Sequence, residues 1–265
     1  LPVHLFALSQ STQIIWSKAF LVFIILHVLV YPSSNGYNSY IDRDETAIGG
    51  LSNPLQPTRQ LFYVSIGMDV LAIVLSFFIS FQFALGILLY ITASRAYSYK
   101  GVRLKRYPIA GFLTVFICQG ALVFWLTYHG VHPHNTMQVP LLPCFTSSLL
   151  IGALYPLTQV YQHEADKRDG VTTISILLGK RGSFLFSMAL FLSATAAVFY
   201  LFRDHTNFFY LFLLMLLPVV LFFLYWMREV WQDASAADFK HSLWMYILST
   251  ICTTAFFITL IVLNH

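Results

Sequence analysis

The 265-residue chain is 58% hydrophobic, 17% aromatic and only 10% charged, too little polar surface to clothe a water-soluble globule, so a lipid bilayer is the solvent it fits. A formal net charge of +4 argues against a nucleic-acid partner, and no polar block is long enough for a second domain, so residues 1–265 are read as one membrane domain. Cys118, Cys144 and Cys252 lie apart in apolar stretches without C-x-x-C spacing, as small core residues do, rather than ligands or disulfides.

Spanning helices need about 20 mostly apolar residues, because every backbone polar group must be satisfied inside the hydrocarbon. The chain starts at Leu1 without an initiator Met. Residues 1–8 read as the last turns of an apolar helix, so the native N-terminus is expected upstream. The first full candidate helix, 14–30, leads into a polar segment, 35–45. The next, 61–79, carries Asp69 in mid-helix beside Ser65 and Gly67; an intramembrane carboxylate is either functional or satisfied by a packing hydrogen bond. Helix 81–97 is followed by a loop bearing Tyr97, Tyr99, Lys100, Arg103, Lys105 and Arg106, suited to phosphate or to anionic lipid at the membrane surface. Helix 109–128 precedes a connection, 129–138, whose His129, His132 and His134 read as loop residues rather than a metal site. Helix 140–157 leads into a second polar segment, 159–169, and helices 181–202, 207–227 and 241–263 complete the chain. With the remnant at 1–8 this makes about nine transmembrane helices.

Alternating nine helices puts thirteen of the fifteen Lys and Arg residues on one side, leaving only Lys18 and Arg203 opposite. Such an asymmetry marks the first side as cytoplasmic. A multi-pass protein of a bacterial inner membrane is expected, with both polar segments cytoplasmic.

Those segments repeat each other. Tyr31-Pro32 is followed by Asn35, Tyr37, Asn38, Asp42, Arg43 and Glu45; Tyr155-Pro156 is followed by Gln159, Tyr161, Gln162, Asp166, Lys167 and Asp169 at the same offsets. Steps of three and four residues place Asn35, Asn38 and Asp42 on one helical face, and Gln159, Gln162 and Asp166 on another. Both copies leave helices running the same way, and parallel repeats often share a site at their interface. Asp42, Asp44, Glu45, Glu164, Asp166 and Asp169 supply six of the eleven carboxylates in the chain. Facing carboxylates need a neutralising cation, and oxygen ligands suit Mg²⁺, which prefers one or two carboxylates plus phosphate oxygens. A diphosphate substrate follows, its remaining charge met by Lys100 and Arg103, with Asn35, Gln159 and Gln162 as polar contacts.

At these residues the sequence resembles the UbiA superfamily of intramembrane prenyltransferases along nearly its whole length. Asn38-Ser-Tyr-Ile-Asp42 is similar to the start of the family's first Asp-rich motif, Gln162-His-Glu164-Ala-Asp166 occupies the second, and Tyr97 through Pro108 resembles the basic loop after the fourth helix. The stretch 170–179, GVTTISILLG, resembles the lead into the seventh helix. Thr46 stands where the family usually has a further Asp, and Gln159 and Gln162 stand where acids are expected. The resemblance implies a UbiA-like bundle of about nine helices and an enzyme, with Asn38, Asp42 and Asp166 catalytic. Its reaction would be Mg²⁺-dependent transfer of an isoprenyl group from its diphosphate to a lipophilic or aromatic acceptor in the membrane. Ring faces, among them Tyr37, Tyr40, Phe124, Trp125 and Tyr155, would shelter the allylic cation. A UbiA-like terpene cyclase, or a non-catalytic transporter or lipid-binding protein on the same scaffold, are the alternatives.

Overall fold

The computed structural model describes residues 1–43, 47 and 50–264. The described residues form α1 (Pro2–Gln10), α2 (Trp16–Asp42), α3 (Arg59–Ser76), α4 (Phe81–Ser98), α5 (Pro108–Val131), α6 (Leu141–Leu154), α7 (His163–Arg168), α8 (Ile174–Leu201), α9 (Thr206–Gln232) and α10 (Phe239–Asn264). Among them α2, α3, α5, α6 with its following turn, α8, α9 and α10 are long and apolar enough to cross a bilayer, seven in all. α4 has 18 residues but is diluted by Gln82, Arg95 and several hydroxyls, and α1 is short. The nine expected helical regions are therefore present, seven of them meeting the length and hydropathy of a span.

The exterior of the bundle is as apolar as its core, unlike that of a soluble protein. Leu214, Leu217 and Leu221 of α9 face outward, as lipid solvates them without cost. The interior is filled by a core including Phe6, Leu26, Phe83, Phe124, Phe212 and Phe256, and by a smaller cluster of Leu157, Val160, Phe184 and Trp226.

Two wide π-type turns shape the bundle. In α2 the widening covers Ile24–Val30, just ahead of Pro32, which cannot donate to the helical ladder; the slack lets the helix continue to Asp42. In α5 it covers Phe116–Leu122, where Gly120 meets α6 so closely that a Cβ would lie 2.4 Å from Ser148 Cα. Ser148 Oγ accepts from the Ala121 amide at 2.9 Å, occupying a donor that the widened turn loosens.

The expected loop at 129–138 begins later than the sequence suggests. His129 belongs to the last turn of α5 and is fully buried, stacked on Trp125, with Nε2 2.7 Å from Ser80 Oγ and Nδ1 2.9 Å from the Thr136 carbonyl. Ser80 in turn caps α4 by accepting from the Phe83 amide. Positions 103 and 135 lie beyond opposite ends of α5. Single cysteines there, in a variant lacking Cys118, Cys144 and Cys252, are expected to react with an impermeant maleimide from opposite membrane faces; equal labelling from one face would exclude this arrangement.

Candidate active site

The two copies of the motif reach their positions differently. The first rides on one helix, so Asn38 and Asp42 share a face until α2 stops at Arg43 in the left-handed conformation (φ 54°). The second is not the single helix that its offsets suggest. Tyr155–Thr158 tightens into a 3₁₀ turn, and α7 begins only at His163. Helix-like steps survive across the break: the Gln162 amide donates to the Gln159 carbonyl at 3.0 Å and the Asp166 amide to the Gln162 carbonyl at 2.9 Å.

Both copies therefore converge. Asn38, Asp42, Gln159, Gln162 and Asp166 line one cavity of about 80 Å³, with Tyr97 and Lys105. Against it lies a cavity of about 940 Å³. Asn38, Tyr97, Gln159 and Gln162 line both, so they form the junction between a small charged chamber and a large apolar one.

Asp42, its side chain 1% exposed, forms an ion pair with Lys105 Nζ, and Arg103 NH2 stands 3.8 Å from Asp42 Oδ1 and 3.9 Å from Asp169 Oδ2. Ser98 Oγ donates to Asn38 Oδ1 at 2.6 Å, and the Tyr97 and Tyr155 hydroxyls meet at 2.5 Å. Gln162 Nε2 donates to the Tyr161 hydroxyl at 3.1 Å, while Gln159 lies against Tyr155. Asp42 Oδ1 and Gln159 Oε1 are buried without a hydrogen-bond partner. Behind the junction His163 Nε2 meets Ser175 Oγ at 2.8 Å. Burial, reinforced by Lys180 and Lys167, pushes the His163 pKa down to about 4, so a neutral imidazole joins α7 to the bend of α8 at Gly179 (φ 71°).

Other expected site residues stand elsewhere. Asn35 lines the large cavity but not the small one, and Asp169 reaches the site only through Arg103. Glu164 has a side chain 86% exposed and pairs with Lys167 at 3.5 Å, so it does not face the cavity as a metal ligand would. Lys100 is exposed and lines neither cavity. Asp44 and Glu45 lie outside the described residues. The expected cluster of six carboxylates is thus not assembled among the described residues, where no three His, Cys, Asp or Glu side chains converge as a metal-holding group. What converges is two carboxylates and three amides. The proposed ring faces divide too: Tyr155 lines the large cavity, but Tyr37 covers Arg95, Tyr40 packs on Phe62, Phe124 on Phe6 and Trp125 on His129.

Lys105, rather than Lys100, is the lysine of this loop that enters the chamber. Arg103 is left-handed (φ 48°) and starts the 3₁₀ turn Leu104–Arg106, which carries Lys105 back over α2. Alternating spacing of Arg103 and Lys105 was the available signal.

The helical path of the described residues is shared by several solved structures. A UbiA homologue from Archaeoglobus fulgidus bound to GPP and Mg²⁺ superposes with a TM-score of 0.66 at 17% identity, covering 98% of this chain and 95% of that one. An apo UbiA homologue from Aeropyrum pernix K1 gives 0.66 at 16% identity, covering 96% of each chain. A structure described for digeranylgeranylglyceryl phosphate synthase gives 0.63 at 21% identity, covering 98% of this chain and 92% of that one. No curated protein matches the sequence. The model of the UbiA prenyltransferase family matches residues 1–263, and the chain belongs to that family.

Proposed function

We propose that this protein transfers an isoprenyl group from its diphosphate to a lipophilic or aromatic acceptor within the bilayer, in a Mg²⁺-dependent reaction. One observation carries the reading: the chamber holding Asp42, Asp166 and Lys105 shares four lining residues with an apolar cavity large enough for an isoprenoid. The A. fulgidus homologue, which has this fold, binds GPP and Mg²⁺, and a further structure of it holds DMAPP and Mg²⁺.

The donors fit a hard cation, since two carboxylates line the small cavity and Asp42 Oδ1 is buried there unmet by any hydrogen-bond donor. Asp42 and Asp166 would hold Mg²⁺, which when bound supplies positive charge to the leaving diphosphate. Lys105 and Arg103 add charge of the same sign beside it, and on the diphosphate's arrival they exchange carboxylate contacts for phosphate oxygens. Asn38, fixed by Ser98, and Gln162 orient the diphosphate at the junction. The Tyr97 and Tyr155 rings border the reacting carbon and exclude water, and their faces favour the cationic carbon. The excess of Lys and Arg at this end supports a cytoplasmic position for the site in a bacterial inner membrane.

Purified protein in lipid nanodiscs, given geranyl or geranylgeranyl diphosphate with an extract of membrane lipids, is expected to release diphosphate only with Mg²⁺ present. Mass spectrometry should find lipids heavier by one isoprenyl chain. Release with a cyclic hydrocarbon as sole product would replace transfer by cyclisation, and no release with any allylic diphosphate would leave a non-catalytic scaffold.

A further inference from the structure

The large cavity is chemically uniform in one respect: none of the described side chains lining it is charged. Asp42, Asp166 and Lys105 line the small chamber and not the large one, whose polar side chains are mainly amides and hydroxyls, among them Asn35, Gln119, Gln159 and Ser187. Two of these are incompletely satisfied. Gln159, 6% exposed, has Oε1 buried with no hydrogen-bond donor, and Ser187, 2% exposed, has Oγ without any partner. They come from facing elements, since α8 packs on the turn Tyr155–Thr158 that precedes Gln159.

We infer that the acceptor is an uncharged hydroxyl compound, a neutral phenol, quinol or alcohol, whose O–H donates to Gln159 Oε1. This deepens the proposed prenyl transfer and rests on it. The selection has two parts. A carboxylate or phosphate on the acceptor enters an apolar space with no described countercharge, and an unpaired buried anion costs several kcal/mol, far more than amides and hydroxyls return. A neutral molecule without an O–H enters freely but leaves the Gln159 oxygen unmet, and a site built around a hydrogen bond discriminates against ligands that lack it. Gln at this position instead of a carboxylate fits the same logic, because a carboxylate would bring an anion to the junction and draw a cation toward the acceptor's place. Gln159 acts here as a specificity-determining residue.

The test separates acceptor recognition from diphosphate use. Binding of methyl 4-hydroxybenzoate, 4-hydroxybenzoate and methyl 4-methoxybenzoate to nanodisc-embedded protein is measured by calorimetry without diphosphate, and 1-O-hexadecylglycerol is compared with its phosphate. The neutral phenol is expected to bind about tenfold tighter than its methyl ether and at least about tenfold tighter than the carboxylate, and the alkylglycerol tighter than its phosphate. Gln159→Leu should bring the phenol-to-ether ratio close to one, whereas Gln159→Glu, which still accepts a hydrogen bond, should keep it and reject the carboxylate further. Equal or tighter binding of the charged members overturns the inference, as does an unchanged phenol-to-ether ratio in Gln159→Leu, or, if that variant does not fold, its collapse in Gln159→Glu. Retention of labelled geranyl diphosphate with Mg²⁺, compared between wild type and Asp42→Asn, is a separate readout. Its loss of dependence on Asp42 would sink the prenyl-transfer reading and leave the acceptor result standing by itself.

Discussion

Asp42→Asn is expected to lower Mg²⁺-dependent diphosphate release by at least about a hundredfold, the scale on which a preorganised charge acts at a leaving group. Two losses combine at this position. Asn offers one neutral oxygen where a carboxylate would hold the cation, and Lys105 and Arg103, both turned toward Asp42, lose the anion that aligns them before substrate arrives. Asp166→Asn is expected to act at similar scale from the opposite wall of the same cavity. Lys105→Met should behave differently: the carboxylate remains for the cation, so KM for the diphosphate rises more than kcat falls. Steady-state release assays over a Mg²⁺ series distinguish these patterns, because a carboxylate variant shifts the Mg²⁺ dependence and the lysine variant shifts the substrate dependence. Undiminished turnover in both Asp42→Asn and Asp166→Asn would reject the shared site.

Much of this site was readable in the chain because its two halves obey helical spacing. Asn38 and Asp42, four apart on a continuous helix, had to share a face, and the matching offsets named Gln162 and Asp166 as their counterparts. Residues outside the repeated pattern were harder to place. Glu164 corresponds to Tyr40 in the first copy, so no repeat supported its inclusion, and it lies on the exposed side of α7. The same Tyr-Pro pair also precedes two different structures. A π-type widening ahead of Pro32 lets α2 run on, whereas α6 has none, and the chain tightens at Tyr155–Thr158 and breaks before α7. That contrast depends on how each helix packs against its neighbours, as with Gly120 on Ser148, and single-chain periodicity does not contain it. Lys105 could be named only as one of several cations in its loop for a related reason, since a left-handed residue at Arg103 redirects the loop by an angle that no count of charges gives.

Arg95→Met and Asp69→Leu are each expected to destabilise the protein by about 3–5 kcal/mol, while the double variant Arg95→Met/Asp69→Leu recovers most of that loss. Asp69 lines neither cavity, and its partners explain it. Arg95 NH2 pairs with Asp69 Oδ2, Asp69 Oδ1 lies 2.5 Å from Ser33 Oγ, and Arg95 donates to the same hydroxyl at 2.7 Å. The guanidinium also lies 4.1 Å from the centre of the Tyr37 ring. Three helices, α2, α3 and α4, are thereby tied one turn beneath Asn38. Side-chain exposures of 17% for Arg95 and 8% for Asp69 mean that removing one partner strands the other charge in low dielectric, whereas removing both strands neither. A double-mutant cycle on thermal unfolding in nanodiscs measures this directly: strong positive coupling is the expected result, and additive losses would show that the two residues stabilise the bundle independently. The Arg95 single variant should also reduce turnover, because Tyr37 and Asn38 lose the anchor that fixes α2 against α4; a stable double variant that remains slow would assign Arg95 a positioning role in addition to its part in stability.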